Sequence, residues 1–354
     1  FIMKRMNIAI IGLGNIGSYL FKYLNDNKKI LKEKNNCLPI VKYVSAKNKK
    51  RKRTINIKKK QWLNNYLDAT KLDDVDLIIE LIGGAEGPAK KLVFEALKNK
   101  KHVVTANKAL IAKYGDQLSK IAEIKKVNLE FEASVCGGVP IIRALKEGLI
   151  ANKISKIYGI FNGTSNYILS SMDKQNKTFN EVLKNAKDLG YAESNPSADL
   201  NGDDVSAKLK ILSSLCFNSF INDNIYVEGI KEIDTADIIN ANKLGYKIKL
   251  LGFAELLNNN IYQRVHPTLI KKDSYVASID GVLNAIIIDG KPVGQSIIQG
   301  EGAGPAATTS ALISDISSIL RGNIKFPFSV SSKERKKLKF KNIDERLFSA
   351  YLRF

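Results

Sequence analysis

The densest group of side chains capable of chemistry lies in the segment GYAESNPSADLNGDDVSAKLKIL, residues 190–212. Asp204 and Lys208 are four residues apart in it, so on a helix both project from the same face. The residues around them are mostly apolar, which predicts a largely buried helix. A buried carboxylate and ammonium demand a reason, and such groups cluster at functional sites. The pair therefore indicates a reaction site, with an ordinary exposed ion pair as the alternative.

A second pattern with chemical meaning is the stretch NIAIIGLGNIG, residues 7–17. Its glycines, Gly12, Gly14 and Gly17, follow an apolar run and precede apolar residues at helical spacing. Between a strand and a helix, the first glycine permits the turn, the second lets the backbone approach a pyrophosphate, and the third lets helix and strand pack closely. The stretch predicts a dinucleotide site at a helix N-terminus, with a purely structural turn as the alternative.

The residues after the second predicted strand bear on which dinucleotide binds. An NAD site carries Asp or Glu there to hold the ribose 2′-hydroxyl, but residues 41–53 contain no carboxylate. Lys47, Lys50 and Arg51 could instead meet a 2′-phosphate, which favours NADP. An exposed basic loop without a ligand is the alternative.

The elements that must position these residues fall into two regions. In the first, apolar strands alternate with helical segments, which predicts right-handed crossovers and a parallel sheet. Its predicted strands cover 7–11, 38–46, 75–83, 101–106 and 127–133, and its later helices cover 87–100 and 107–125. After about residue 140, helices at 139–150, 162–190 and 202–217 precede hairpin-like segments. This region predicts an antiparallel sheet with helices on it, a second domain of α+β type.

The composition is that of a globular protein with a formal charge of +21. Because the lysines are spread along the chain, we do not expect a nucleic-acid partner. The basic runs at 47–60 and 331–341 are interpreted as solvated, with a phosphate role left open for the first. Three widely separated cysteines fit a reducing compartment. No apolar stretch is long enough to span a bilayer and the first residues do not form a signal peptide, so a cytoplasmic protein is expected.

Seven segments, in the same order, resemble the homoserine dehydrogenase family. They are GLGNIG, TANK (105–108), EASVCGGVPI (132–141), FNGTSNYIL (161–169), GYAESNPSADLNGDD with the following KLKIL, RVHP (264–267) and GEGAGPAATTSA (300–311). The resemblance covers nearly all of the chain. It implies NAD(P)-dependent interconversion of L-homoserine and L-aspartate 4-semialdehyde, a step in threonine, methionine and isoleucine biosynthesis.

The resemblance also implies roles for individual residues. Lys208 matches the family's catalytic lysine and Asp204 its acidic partner. Such a lysine needs a pKa lowered by desolvation or a like charge, because a free ammonium is a poor base near neutral pH. Lys108 matches a residue near nicotinamide and substrate. Glu193 matches a carboxylate that holds the substrate, and Asp199 falls where a second substrate carboxylate is expected.

Cofactor and cation sites are implied in the same way. The cofactor-binding candidates are Gly12, Gly14, Asn15, Ile16, Gly17, Lys47, Gly83, Lys108 and Gly302. EASVCGGVP resembles a loop that binds a monovalent cation, usually sodium, through backbone carbonyls and one carboxylate. The matching positions are Glu132, Val135, Gly137 and Val139. Hard cations prefer oxygen ligands, but the residues by themselves indicate only a glycine-rich turn.

The implied organisation is an NAD(P)-binding Rossmann domain over residues 1–133, completed by a helix at 305–322. A catalytic and dimerisation domain covers 134–304, so a homodimer or homotetramer is expected. SAYLRF, at 349–354, resembles the first strand of a regulatory ACT domain. Residues 331–354 are therefore interpreted as a C-terminal tail or as the start of a truncated ACT domain.

Two other functions stay open. A semialdehyde dehydrogenase that acts through a cysteine thioester would also combine these two kinds of domain, and Cys136 departs from the glycine or alanine expected in the cation loop. That mechanism needs an activated thiolate, commonly with a histidine partner, and the chain has only His102 and His266. We therefore interpret Cys136 as a small packed residue. The other alternative is a non-enzymatic protein that senses NADP or binds nucleic acid.

Overall fold

The computed structural model describes residues 4–342, 345 and 349–350 of the 354-residue chain. The chain forms two compact units. One comprises the chain up to Lys146 together with Ala303–Arg335, and the other comprises Glu147–Gly302 together with the chain from Lys336 onward. Residues 351–354 lie outside the described residues, so the proposed ACT strand stays a prediction.

Strands and helices alternate along the first part of the described chain. The strands are β1 (Arg5–Ile11), β2 (Leu38–Ser45), β3 (Leu77–Glu80), β4 (His102–Thr105), β5 (Leu129–Glu130), β6 (Lys153–Ile160), β7 (Tyr226–Val227), β8 (Tyr246–Leu257), β9 (Asn260–Lys271), β10 (Leu283–Lys291), β11 (Gly294–Glu301) and β12 (Lys339–Lys341). The α-helices are α1 (Asn15–Asp26), α2 (Lys28–Asn35), α3 (Pro88–Lys98), α4 (Lys108–Lys125), α5 (Ile141–Arg143), α6 (Gly163–Gln175), α7 (Phe179–Asp188), α8 (Ser197–Leu200), α9 (Asp203–Phe217), α10 (Thr235–Lys243) and α11 (Pro305–Leu320).

The first unit is built on a parallel sheet with the strand order β2-β1-β3-β4-β5. The chain leaves β1 towards one neighbour, β2, and later returns to the other side of β1 with β3. This order makes a topological switch point, and ligands of such sheets bind outside the carboxyl ends of the strands at that point. The predicted parallel architecture is confirmed.

A helix from the far end of the chain completes the core of this unit. α11 lies against α1, and its Leu312, Ile316 and Ile319 join the cluster that contains Ile10 and Leu20. All five side chains are almost completely buried. Pro305 begins the helix, where its missing N–H removes no intrahelical hydrogen bond.

The first unit continues to Lys146, beyond the boundary expected at residue 133. The buried carboxylate of Glu132 accepts the backbone N–H groups of Ile142 and Arg143, at 2.9 and 2.5 Å. These bonds hold the following segment against the end of β5, which explains why the segment belongs to the first unit.

Two helices differ in extent from the sequence-based prediction. The helix predicted over 139–150 is shorter than predicted: it covers 141–148, as α5 followed directly by a π-helical turn. The helix predicted over 162–190 is two helices, α6 and α7. Asn176 ends α6 in the left-handed conformation, and Thr178 starts α7 by a capping box with Glu181.

The second unit is built on a sheet with the order β11-β10-β6-β8-β9-β12. Strands β11 to β9 along this order are antiparallel, whereas β12 and β7 both pair with β9 in parallel. α9 packs on β6 and β8. Gly252 in β8 makes room for Phe161, since a Cβ there would lie 2.7 Å from the ring. The predicted antiparallel sheet with helices on it is confirmed, with two parallel strands added.

The sequence suggested that the basic run at 331–341 is a solvated tail, but part of the run is buried. Arg335 is buried, lies 2.6 Å from the carboxylate of Asp116 and packs 4.3 Å from the centre of the Phe328 ring. The end of the same run forms β12. Among the described residues, we find no helix with the length and apolar character needed to cross a membrane.

Candidate active site

The loop between β1 and α1 uses its three glycines in two different ways. A Cβ at Gly12, where φ is 108°, would lie 2.3 Å from the carbonyl oxygen of Leu81, and one at Gly17 would lie 2.0 Å from that of Gly12. A Cβ at Gly14 would meet no described atom within 4 Å. The other predicted loop residues, Asn15 and Ile16, are the first two of α1. Space therefore lies open at the start of a helix whose first N–H groups lack intrahelical acceptors, a cradle that fits a pyrophosphate.

The basic segment after β2 folds back onto this loop. The Nε of Arg53 donates a hydrogen bond to the carbonyl of Leu13 at 3.1 Å. Its other N–H groups donate to the carbonyls of Asn48 and Arg51, at 2.8 and 2.9 Å. Lys47, the predicted cofactor residue, is exposed at the start of this ordered segment. Arg53 was not predicted, because its contact with Leu13 joins residues forty positions apart and leaves no local pattern.

Two further predicted cofactor residues lie at the carboxyl ends of β3 and β4. Gly83 has φ of 86° and donates its N–H to the Glu80 carboxylate at 3.0 Å. Lys108 is the first residue of α4, directly after Asn107, whose side chain caps that helix by accepting the N–H of Leu110 at 3.0 Å. Both residues lie at the sheet edge where this class of fold binds its ligands.

The loop predicted to hold a cation follows β5. Cys136 and Gly137 make its turn, with φ of 54° and 39°. The carbonyl of Val139 accepts the N–H of Ile141 at 2.7 Å, and Val135 is buried. Within the described residues, no group of three or more His, Cys, Asp or Glu side chains could hold a metal ion, so a site here would depend on backbone oxygens.

The surroundings of this loop hold more negative than positive charge. Three buried carboxylates, Glu130, Glu132 and Asp315, face two cations: Arg143 lies 2.8 Å from Asp315, and Lys146 lies 2.9 Å from Glu130. Burial raises the pKa of Glu132 to about 7 and also raises the pKa of Asp315. Oε1 of Glu130 is buried without a hydrogen-bond donor among the described residues. A proton or a bound cation would offset the excess charge, and the oxygen donors suit a hard cation.

In the second unit, α9 presents Asp204 and Lys208 on one buried face. The Nζ of Lys208 lies 2.7 Å from the Asp204 carboxylate and donates to the carbonyl of Phe161 at 2.6 Å. The two residues are 5% and 8% exposed, so the alternative of a solvated ion pair is wrong. Both contacts accept hydrogen bonds from the Nζ, so they fix the position of the lysine side chain.

Asn162 links this pair to a second carboxylate. Its Nδ2 donates to Asp199 at 2.7 Å and to Asp204 at 2.9 Å. Its Oδ1 accepts the N–H of Ser165 at 2.8 Å, which caps α6. Asn162 was not predicted as a site residue. Its sequence signal was that of an N-cap, Asn before Gly-Thr-Ser, and such a signal does not show that the amide has two carboxylate partners.

The other predicted residues of this unit lie outside that cluster. Glu193 is exposed in the loop between α7 and α8. Gly302 follows β11, and a Cβ there would lie 2.1 Å from the amide nitrogen of Asn284. That same nitrogen donates to the Phe161 carbonyl at 3.1 Å, the oxygen that also accepts from Lys208. The absence of a side chain at Gly302 thus leaves room for the Asn284 amide, which shares the Phe161 carbonyl with Lys208.

The cysteine that suggested a thioester mechanism is not accessible. Cys136 is 1% exposed. Both histidines have other ring partners: His102 accepts the N–H of Asn128 at 3.0 Å, and His266 lies 3.1 Å from Nε of Arg264. A thioester mechanism needs a reachable, activated thiolate, so the geometry does not support it.

Similarity to known proteins identifies the family. A family model described as homoserine dehydrogenase matches residues 140–317, and one described as the NAD binding domain of homoserine dehydrogenase matches residues 12–132. A homoserine dehydrogenase of Neisseria gonorrhoeae is 41% identical over 320 residues, which cover 90% of this chain and 73% of the relative. The chain belongs to the homoserine dehydrogenase family.

Other homoserine dehydrogenases agree with this assignment. That of Helicobacter pylori is 42% identical over 319 residues, 90% of this chain and 74% of the relative. A solved homoserine dehydrogenase from Thiobacillus denitrificans has 37% identity and a TM-score of 0.90, covering 96% of this chain and 80% of that one. One from S. aureus has 39% identity and a TM-score of 0.79, covering 90% and 79%. The protein is therefore an oxidoreductase with an NAD(P)-binding domain, and the two alternative functions are not favoured.

Proposed function

We propose that Lys208 is the proton-transferring residue in the interconversion of L-homoserine and L-aspartate 4-semialdehyde. The observation that carries this proposal is the buried Asp204 and Lys208 pair on α9. We further propose that the reaction serves threonine, methionine and isoleucine biosynthesis, and that the protein works in the cytoplasm.

Lys208 acts on the oxygen bound to C4 of the substrate. In aldehyde reduction its ammonium donates a proton to the carbonyl oxygen as hydride reaches C4, and in the reverse direction the amine accepts the proton of the hydroxyl. The bound nicotinamide supplies or accepts the hydride. Asp204 and the carbonyl of Phe161 hold the Nζ in place.

The substrate's amino group is held by carboxylates. We assign Asp199 to this role, because Asn162 fixes its orientation beside Asp204. Glu193, exposed on its loop, supplies a second carboxylate. We assign Lys108, at the start of α4, to binding of nicotinamide and substrate.

NADP is the cofactor that the site favours. The open space at Gly14 supports pyrophosphate binding there, and the basic segment ordered by Arg53 supports a 2′-phosphate at Lys47. Replacing Lys47 by Ala is expected to raise the KM for NADP about tenfold and to leave the KM for NAD unchanged. Lys29→Ala, an exposed change on α2, is the matched control.

We also propose a monovalent cation, sodium, at the loop after β5. The excess of buried carboxylate charge supports it, as does the Glu130 oxygen that has no hydrogen-bond donor in the described part of the chain. The ligands would be Glu132 with the carbonyls of Val135, Gly137 and Val139. Thermal unfolding in sodium chloride should occur at a higher temperature than in tetramethylammonium chloride at equal ionic strength. Equal midpoints would remove the cation from the proposal.

We expect a homodimer or homotetramer. Support comes from β11, an edge strand of the second sheet with exposed residues along much of its length. Edge strands of this kind are ready to pair with another chain. Size-exclusion chromatography with light scattering tests the assembly, and a monomeric mass would contradict it.

The activity is tested by following absorbance at 340 nm with homoserine, once with NAD and once with NADP. Lys208→Ala is expected to lower kcat by about a hundredfold or more while cofactor affinity stays the same. Lys210→Ala, on the same helix and paired with the exposed Asp223, should stay within about twofold of the wild type. Folded protein without a signal on either cofactor would overturn the proposed function.

A further inference from the structure

A buried carboxylate at the end of β3 organises the loop that follows it. Glu80 is 0% exposed. Its Oε1 accepts the N–H groups of Ile82 and Gly83, at 2.7 and 3.0 Å, and its Oε2 accepts the hydroxyl of Thr105 at 2.5 Å. Glu80 and Thr105 are register partners at the ends of β3 and β4. One side chain therefore fixes the turn after β3 and joins it to the neighbouring strand.

The hydrogen bonds continue from Thr105 and close into a ring. The hydroxyl oxygen of Thr105 accepts the N–H of Asn107 at 3.0 Å. The Nδ2 of Asn107 donates to the carbonyl of Gly84 at 2.7 Å, which returns to the loop that Glu80 holds. The Oδ1 of Asn107 caps α4 through the N–H of Leu110. We call the three side chains of Glu80, Thr105 and Asn107 the carboxylate ring.

The carboxylate ring lies next to two segments at the carboxyl edge of the parallel sheet: the glycine loop and the start of α4. On one side, Leu81 follows Glu80 directly, donates its N–H to Ile11 at 2.8 Å and places its carbonyl against Gly12. On the other side, Asn107 precedes Lys108 and starts its helix. The ring therefore adjoins both places: Leu81, next to Glu80, packs against the start of the glycine loop, and Asn107 directly precedes Lys108.

We propose that Glu80, Thr105 and Asn107 are positioning residues, which hold Lys108 and the β3–α3 loop in register with the cofactor-binding glycine loop. This rests on the proposed role of Lys108. Burying a carboxylate costs free energy that apolar packing would not, and three donors are needed to offset that cost. Fixed placement of reacting groups is worth a large factor in rate, so a small displacement of α4 is costly.

The main test is a matched pair of substitutions at Thr105. Thr105→Val removes the hydroxyl at nearly constant volume, which leaves Glu80 Oε2 and the Asn107 N–H without their partner. We expect the dissociation constant for NADPH to rise and kcat to fall, each by about tenfold. Thr105→Ser restores the hydroxyl and should recover both values to within about twofold. Thr105→Val with a lower melting temperature but unchanged NADPH affinity and kcat would overturn the proposal.

Coupling to Lys108 separates positioning from a general loss of stability. In a double-mutant cycle on kcat/KM, Lys108→Ala should cost less in the Thr105→Val background than in the wild type, because the lysine is already misplaced there. If the fold-losses in kcat/KM of the two single variants simply multiply in the double variant, the proposal is overturned. If Lys108→Ala alone leaves kcat/KM unchanged, the proposed role of Lys108 fails. The NADPH affinity of Thr105→Val then tests separately whether the ring positions the β3–α3 loop.

A second variant keeps the test decisive if Thr105→Val does not fold. Asn107→Asp retains an oxygen to cap α4 but loses the donor to the Gly84 carbonyl. It should raise the NADPH dissociation constant and show the same reduced cost of Lys108→Ala. If Asn107→Asp binds NADPH as tightly as the wild type, and Lys108→Ala lowers kcat/KM as much in it as in the wild type, then the ring does not position these residues.

Discussion

At the scale of single residues, Gly12 and Gly14 separate folding from ligand binding within one loop. Gly12→Ala places a Cβ 2.3 Å from a backbone oxygen at a φ of 108°, so it should lower the melting temperature. Gly14 has φ of −75° and open space, so Gly14→Ala should keep the wild-type melting temperature and weaken NADPH binding by about tenfold or more. Differential scanning fluorimetry and a fluorescence titration measure the two effects. Equal melting temperatures for both variants would contradict this division.

The amide of Asn162 is a second residue whose roles can be separated. Asn162→Ser keeps an oxygen that can cap α6 but removes the donor to Asp199 and Asp204. We expect kcat to fall by roughly tenfold, with a change in unfolding free energy below about 1 kcal/mol. Thr178→Ala, which removes the cap of α7 in the same unit, controls for capping alone. Wild-type kinetics for Asn162→Ser would show that the amide does not orient the carboxylates for catalysis.

Spacing along the chain revealed some site residues and concealed others. Asp204 and Lys208 were predicted because four residues on a buried helix bring two side chains to one face. Glu80 and Asn107 were not predicted, since each owes its role to partners about 25 residues away on a neighbouring strand or loop. Local periodicity contains no information on such pairings.

At the scale of elements, β4 carries a histidine that makes stability depend on pH. His102 accepts the N–H of Asn128 next to β5, and burial lowers its pKa. Above its ordinary pKa of 6.5 the ring is neutral in both states and has no effect. Below it the unfolded chain takes the proton more readily, so stability falls by up to about 1.4 kcal/mol per pH unit. His102→Asn, which retains an acceptor for Asn128, should flatten this dependence.

Urea midpoints at pH 7.5 and 5.5 measure that effect. The loss of stability between pH 7.5 and 5.5 should be smaller for His102→Asn than for the wild type. Above pH 6.5 the stability of the two proteins should depend on pH in nearly the same way. The other histidine, His266, also has a pKa lowered by burial and stays in place in the variant, so part of the acid sensitivity remains. An unchanged difference between the two pH values would exclude His102 as a contributor.

Helices and strands were predicted well where their apolar residues recur at regular spacing and face a core. The strand and helix alternation of the first unit and the helix at 202–217 followed from apolar periodicity alone. The predictions failed at helix ends within polar segments. The split after α6 depends on Asn176 and on the capping box of Thr178 and Glu181, which are stronger than the continuing apolar periodicity. Likewise, the helix predicted over 139–150 is shorter, at 141–148, and its second half is π-helical.

At the scale of the whole molecule, two separate cores predict two steps in unfolding. Ile316 belongs to the core of the first unit and Ile287 to a core of the second, and both are almost fully buried. Each isoleucine replaced by alanine should cost about 2–5 kcal/mol in its own unit. The proposed dinucleotide site belongs to the first unit, so NADPH should raise the transition of that unit.

Calorimetry with and without NADPH distinguishes the two steps. Ile316→Ala should lower the transition that NADPH raises, although Ile316 is far along the chain from the glycine loop. Ile287→Ala should lower the other one. A single transition that both variants shift equally would show that the units unfold as one.

The place of α11 in the first core has a consequence for how the protein is made. The ribosome synthesises β1 to β5 first, but Leu312, Ile316 and Ile319 are added only after residues 147–302, the larger part of the second unit, have been translated. Until then the nascent first unit exposes the apolar surface around α1 that α11 later covers. The first unit therefore begins to form before the second unit but completes its core only late in synthesis. Its exposed surface is where a nascent-chain chaperone would be expected to bind.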